Sequence, residues 1–182
     1  MTVPIKTIRA FKLFRTRGGK LYPLYVLATK AIPVGEWIDA EEGIRTPDGK
    51  VKSRLGSLHY RPGFHSGDLP MATHIGGKSR KGLKAPDYRP ADQVWAEVEL
   101  PDDVDWQAEA NRRGYNSKGK FVAGRAEISD QIPVGGCYRY KTNPNMTGWW
   151  LISGSMRVLR VLKDDEVKAI NDAAGVADLP RL

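Results

Sequence analysis

The chain has 182 residues, of which 41% are hydrophobic and 27% charged, a composition typical of a folded globular protein rather than a disordered one. Its 29 Lys and Arg residues outnumber 21 Asp and Glu, and the net charge of +8 favours a polyanion such as nucleic acid as partner. A single cysteine, Cys137, excludes an internal disulfide and a Cys-rich zinc site. The chain has neither a run of the roughly 18 apolar residues that a membrane span needs nor a signal-peptide core, so we expect a cytoplasmic protein with no membrane partner.

The first half of the chain predicts short strands separated by turns. Residues 7–28 predict two strands joined by a turn at Gly18 and Gly19, and Pro23 in the second run favours an edge position. Residues 36–39 predict another short strand, and 46–50 contain a Pro-Asp-Gly type of turn. Residues 59–74 are punctuated by Gly and Pro, which predicts tight turns with accessible side chains, and 76–84 predict a flexible basic loop.

The second half predicts longer strands and two short helices. Residues 93–100 alternate, with Val94, Ala96, Val98 and Leu100 on one side and Trp95, Glu97 and Glu99 on the other. Residues 102–113 predict a helix that is capped by Asp102 or Asp103 and ends at Gly114. Strands are predicted at 137–142, 149–152 and 156–162, followed by a C-terminal helix at about 164–174. Without an internal repeat or a long linker, residues 1–182 predict a single α+β domain with a largely antiparallel, strand-rich core and few short helices.

All three histidines, His59, His65 and His74, fall in one window of sixteen residues that also contains Arg61. Histidine carries protons near neutral pH, and arginine binds phosphate or carboxylate with two donors. The surrounding basic region, about 45–90, contains many more cations than carboxylates. We therefore expect the site in this region, with Tyr60 and Arg61 among its substrate- or phosphate-binding residues.

The strand at 137–142 places Arg139 and Lys141 on one face, with Tyr138 and Tyr140 on the other. Two adjacent cations repel each other unless they are solvated or share an anion, so this is either an ordinary solvated face or a phosphate-binding face. Asn143 in the adjoining turn strengthens the second interpretation, because an amide can hydrogen-bond a base or a sugar. The Trp149–Trp150 pair is interpreted as core or core rim rather than as a stacking platform.

His65 and Glu97 are the candidate general acid and general base, with Arg61, Arg139 and Lys141 as cations that hold a developing negative charge. Glu97 is equally explained as ordinary surface. His59 and His74 are interpreted as structural. The histidine spacings of six and nine match no familiar ligand pattern, so no metal site is expected.

Four segments, 60–65, 95–99, 138–144 and 150–154, resemble an uncharacterised domain met in bacteriophages and mobile elements. That domain occurs alone or within very large multi-domain proteins, and the resemblance implies no established activity. It implies a bacterial host cell as the location and makes a host protein a possible partner.

The order of several motifs also resembles ADP-ribosyltransferase-like folds. In those folds an early strand supplies a residue that holds NAD, and Arg15 or Arg9 stands at that place here. Residues 63–66 resemble the next segment, which implies Gly63, Phe64 and Ser66 as cofactor-binding residues, and 94–98 resemble the following strand. The resemblance implies Glu127, which precedes Ile132 and Pro133, as the late catalytic glutamate. The segment from Ile152 to Met156 fits the late motif equally.

The first expectation is therefore a phage or mobile-element transferase of ADP-ribosyltransferase-like type that uses NAD and acts on or near nucleic acid or a host target. Two alternatives stay open. One is a non-catalytic module that binds nucleic acid or a host protein. The other is a metal-independent ribonuclease, which resembles the small α+β toxins that use His, Glu, Arg and Lys on an antiparallel sheet.

Overall fold

The computed structural model describes residues 3–114, 118, 120 and 131–182. The elements of these residues, in chain order, are β1 (Thr7–Arg17), β2 (Lys20–Tyr22), β3 (Trp37–Asp39), β4 (Val51–Ser53), β5 (Gly56–Leu58), β6 (Phe64–Gly67), β7 (Gln93–Pro101), β8 (Val104–Asp105), α1 (Gln107–Gly114), β9 (Gly136–Tyr140), β10 (Trp150–Ser153), β11 (Ser155–Val161) and α2 (Asp164–Ala173).

Nine of these strands form one sheet in the order β3-β11-β7-β1-β6-β10-β9-β8, and β2 pairs with the end of β1. Strands β4 and β5 form a separate hairpin. Among the described strands every pairing is antiparallel except that of β8 with β9. The protein is thus an α+β fold with a largely antiparallel sheet, as the sequence predicts.

The first hairpin follows the predicted turn chemistry. Gly18 and Gly19 connect β1 to β2 with φ angles of 56° and 74°, values that glycine adopts without steric cost. The second predicted strand is shorter than expected, because β2 ends at Tyr22 instead of continuing toward residue 28. Pro23 follows immediately and has no N–H to donate to the ladder.

One face of the sheet curls around the main hydrophobic core. Val98 and Ala96 of β7 share this core with Leu151 of β10 and Cys137 of β9, although β1 and β6 lie between them in the sheet order. The opposite face is covered in two places. Helix α2 packs Val167 against Leu13 and Trp95, and α1 contributes Ala110 to a cluster with Tyr138 and Tyr140. These two faces decide where each candidate site residue lies.

The structure differs from the sequence prediction at two further elements. The window 59–74 is not a run of turns, because β6 lies inside it, hydrogen-bonded between β1 and β10 in the middle of the sheet. Helix α1 begins at Gln107 rather than at 102, since the Asp103 carboxylate accepts the backbone N–H groups of Ile5 and Lys6. The Asp105 carboxylate accepts the N–H of Gln107 and so provides the first turn of α1 with its cap.

The predicted C-terminal helix is present as α2, and Gly175 follows it with a φ of 71°. Its N-cap is Lys163 rather than Asp164, and the Glu166 carboxylate accepts the Lys163 N–H at 2.8 Å. Neither described helix is long and apolar enough to cross a membrane.

Candidate nucleic-acid interface

Three side chains meet at the exposed ends of β9 and β10. The guanidinium carbon of Arg139 lies 5.5 Å from the centroid of the Trp149 ring, and the Lys141 ammonium lies 4.7 Å from it. Trp150 pairs with Tyr140, so the register sets Trp149 beside Lys141 and diagonally across from Arg139. Both separations are within the range of cation–π attraction. We call Arg139, Lys141 and Trp149 the Trp149 patch.

The turn that joins β9 to β10 borders the Trp149 patch with polar groups. The side-chain Oδ1 atom of Asn143 accepts the backbone N–H of Asn145 at 3.0 Å, a bond that does not use the side-chain NH₂ group of Asn143. Lys141 donates to the Met146 carbonyl at 3.1 Å, which holds the lysine over the turn. Asp68 adds one carboxylate nearby, and it accepts the backbone N–H of Trp149 at 2.8 Å. The predicted phosphate-binding residues Arg139, Lys141 and Asn143 therefore lie together on one surface.

The two adjacent tryptophans have different environments. Trp150 is half-buried and packs against two hydrophobic clusters, whereas Trp149 is 36% exposed. Successive residues of a strand point to opposite faces, so a pair of neighbouring aromatics seldom shares one environment. The interpretation of the pair as core or core rim is therefore confirmed for Trp150 and wrong for Trp149, and the sequence alone gives no signal for which of the two is exposed.

His65 lies on the opposite face of the sheet from Arg139, because it pairs with Ile152, which in turn pairs with Tyr138. Its Nε2 atom is 3.1 Å from the Arg61 carbonyl. Burial, reinforced by the nearby Lys12 ammonium, lowers the pKa of His65 to about 3. The ring is therefore neutral near pH 7, and the Nε2–H donates to the Arg61 carbonyl.

Lys12 is an ionisable residue that the sequence reasoning missed. It lies on the core face of β1 between Ala10 and Phe14, and donates to the His65 carbonyl at 2.5 Å. Burial lowers the pKa of its ammonium to about 8. One sequence feature could have identified Lys12: it is a charged residue inside the apolar run of β1, at a position where strand alternation requires an inward-facing side chain.

Tyr60 and Arg61 belong to two different groups of contacts. Arg61 donates to the hydroxyl of the buried Tyr140 at 2.7 Å, on the face opposite the Trp149 patch. Tyr60 donates to the Glu42 carboxylate at 2.7 Å, and the Arg45 guanidinium stacks 3.5 Å from its ring centroid. Neither of these bonds involves the Trp149 patch.

Glu97 lies on the same sheet face as His65, but β1 separates their strands, which places the two strands about 10 Å apart, and the register sets Glu97 level with Gly67 rather than with His65. Its two carboxylate oxygens pair with Arg9 and Arg160, each at 3.1 Å. This arrangement fits the surface interpretation of Glu97 better than the general-base interpretation. Glu127, the other candidate glutamate, lies outside the described residues.

The four residues that the transferase resemblance assigns to NAD lie in two separate places. Phe64 and Ser66 face the core, where Ser66 is 4% exposed and packs beside β10. Gly63 has a φ of 115°, and a Cβ there would lie 2.6 Å from the Ile152 side chain, so packing and backbone conformation both require glycine. Arg15 lies on the first hairpin. Binding of NAD by this set stays a prediction.

The described residues contain no group of three or more His, Cys, Asp or Glu side chains placed to hold a metal ion. Fold and surface together define a class: an α+β protein whose curled antiparallel sheet carries a basic and aromatic patch at the exposed ends of two strands. Comparison with family models, with curated proteins and with solved structures yields no match.

Proposed function

We propose that this protein binds single-stranded nucleic acid through the Trp149 patch. The observation that carries the proposal is the exposed indole of Trp149 beside the cations of Arg139 and Lys141. Proteins that bind single strands combine cations for the phosphates with aromatic rings on which bases stack. A base stacked on Trp149 would bring its flanking phosphates within reach of either cation, which would move from the ring to a phosphate.

The charges of the helices favour single-stranded over double-stranded nucleic acid as the ligand. Helix α2 has Asp164, Asp165 and Glu166 in its first turn and no basic residue in its last turn. In α1, Arg112 and Arg113 both bond to Glu109. Neither described helix presents the row of unpaired cations that a helix in the major groove uses. The cations and the aromatic ring of the proposed interface lie instead at the adjoining ends of strands β9 and β10.

The direct test is the affinity of the protein for a fluorescent single-stranded oligonucleotide, measured by anisotropy. Stacking of one base is worth about 1–3 kcal/mol, so Trp149→Ala should weaken binding by about 5- to 150-fold. Trp149→Phe should bind with intermediate affinity. Val161→Ala, which trims a side chain that is 43% exposed elsewhere on the sheet, is the matched control and should bind like the wild type.

The same samples test the other functions that the sequence predicts. Oligonucleotide fragments without NAD would indicate a ribonuclease or deoxyribonuclease, and a slower band only with NAD would indicate the ADP-ribosyltransferase. On a denaturing gel of these samples, we expect intact oligonucleotide both with and without NAD. Equal affinity of the wild type and Trp149→Ala would overturn the proposal, and binding to a host protein would then be the function to test.

A further inference from the structure

The hairpin of β1 and β2 places four polar side chains on one face. Arg15 pairs with Tyr22 and Arg17 pairs with Lys20, so all four point to the same side. Leu21, between Lys20 and Tyr22, points to the other side and is buried in the main core. The core therefore fixes the orientation of the hairpin and leaves three cations together on its other face.

These four side chains line an open cavity of about 360 Å³, whose further wall is formed by Gly18, Ala28 and Thr29. The chain turns back after Pro23, and Leu27 adopts a φ of 53°, which is uncommon for a residue other than glycine. This turn brings the Ala28 carbonyl to 2.9 Å from Arg15 Nη2. The guanidinium is thus held in place at the cavity before any ligand arrives.

The donors of this cavity have few acceptors. Arg15 Nε is buried and has no hydrogen-bond partner among the described residues. Arg17 and Lys20 form no ion pair with any carboxylate that the structure describes. Three neighbouring cations repel one another, and an anion between them would remove that repulsion. Guanidinium groups match the oxygens of phosphate, to which they donate in pairs.

We propose that this cavity is a second ligand site, which binds the phosphate group of a small phosphorylated molecule through Arg15, Arg17 and Lys20. Its volume falls within the range of small-molecule sites and leaves room for a group attached to the phosphate. The Tyr22 hydroxyl supplies an additional donor or acceptor for that group. The site is separate from the Trp149 patch and does not depend on the proposed nucleic-acid binding.

The test uses inorganic pyrophosphate as probe, with isothermal titration calorimetry for affinity and amide chemical shifts for location. We expect millimolar or tighter binding, with the shifts concentrated in residues 15–29. Arg17→Ala/Lys20→Ala should weaken binding by at least tenfold. Both side chains are exposed, so this double variant should fold. The variant Arg15→Gln lacks the guanidinium bond to the Ala28 carbonyl, and the test does not depend on whether it folds.

A control variant, Lys30→Ala/Lys168→Ala, removes the same positive charge from two exposed lysines that pair with Glu41 and Asp172. It should bind pyrophosphate like the wild type, and so should Trp149→Ala. Absence of binding at 10 mM or an equal loss in the control would overturn the proposal, and so would shifts concentrated at the Trp149 patch. Failure of nucleic-acid binding would leave these results unchanged, so the two proposals fail separately.

Discussion

At the scale of single residues, two ionisable groups, Lys12 of β1 and His65 of β6, are shielded from much of the solvent. Lys12 and His65 lie on neighbouring strands, and the lysine ammonium donates to the histidine backbone carbonyl. Burial disfavours the charged form of both groups, and the Lys12 ammonium lowers the pKa of His65 further. Neutral His65 cannot act as the proton donor that the sequence suggests, so its protonation decides between a structural and a catalytic role.

We expect the His65 ring to stay neutral from pH 8 to pH 5. Its pKa is about 3 in the folded protein and 6.5 in an unfolded chain, so between these values only the unfolded chain binds the proton. Stability from this group is complete above pH 6.5 and is lost as pH falls toward 3. The variant His65→Gln lacks this pH dependence. Between pH 7 and pH 4, the free energy of unfolding of the wild type should therefore fall by about 3 kcal/mol more than that of the variant.

Ring chemical shifts of His65 provide the independent measurement. A titration midpoint near pH 6 would contradict the neutral ring and would restore His65 as a candidate general acid. Gln is the appropriate replacement because its amide can still donate to the Arg61 carbonyl, as the Nε2–H of His65 does.

At the scale of elements, the C-terminal segment after α2 is fixed to the sheet by a buried ion pair. Arg89 and Asp178 are 2% and 7% exposed, and Arg89 Nη2 lies 2.7 Å from the carboxylate. The same carboxylate accepts the indole N–H of Trp95 and the backbone N–H of Ala72. Arg89 also donates to the carbonyls of Ala72 and Ile75, so one pair connects the C-terminal segment, β7 and the segment after β6.

Asp178→Ala should destabilise the protein by about 3–5 kcal/mol, because it leaves the Arg89 charge buried without its counter-ion. Urea unfolding followed by circular dichroism measures this change as a lower midpoint. Asp172→Ala removes an exposed carboxylate that pairs with Lys168 and should change the unfolding free energy by less than about 1 kcal/mol. Similar midpoints for the two variants would show that the buried pair contributes little.

At the scale of the whole molecule, the excess of positive charge has a measurable consequence for binding. If nucleic acid binds at the Trp149 patch, each phosphate that contacts a cation releases counter-ions, and affinity falls with salt. For single strands the slope of log affinity against log salt is about −0.7 per contact.

Arg139→Ala/Lys141→Ala should therefore reduce the magnitude of that slope by about 1.4, whereas Lys30→Ala/Lys168→Ala should leave it nearly unchanged. Both variants remove two positive charges from a chain of net charge +8. Oligonucleotide anisotropy at several potassium chloride concentrations gives the slopes. Equal changes in the two variants would mean that the overall charge, not the Trp149 patch, attracts the nucleic acid.

The sequence by itself determined the local features of this protein. The alternation in β7, the Gly18-Gly19 turn and the position of α2 all follow from residues that are close in the chain. Strand alternation also placed Arg139 and Lys141 on one face, because that relation depends only on their spacing.

Only the tertiary structure decided which of these faces meet. The pairing of β6 between β1 and β10 buried His65 and moved it away from Arg139, and the register beside β9 brought Trp149 to both cations. The β1–β2 register and the turn at Leu27 gathered Arg15, Arg17 and Lys20 around one cavity. Such contacts join residues that are distant in the chain, and their geometry depends on strand order, register and curl, which no local pattern encodes.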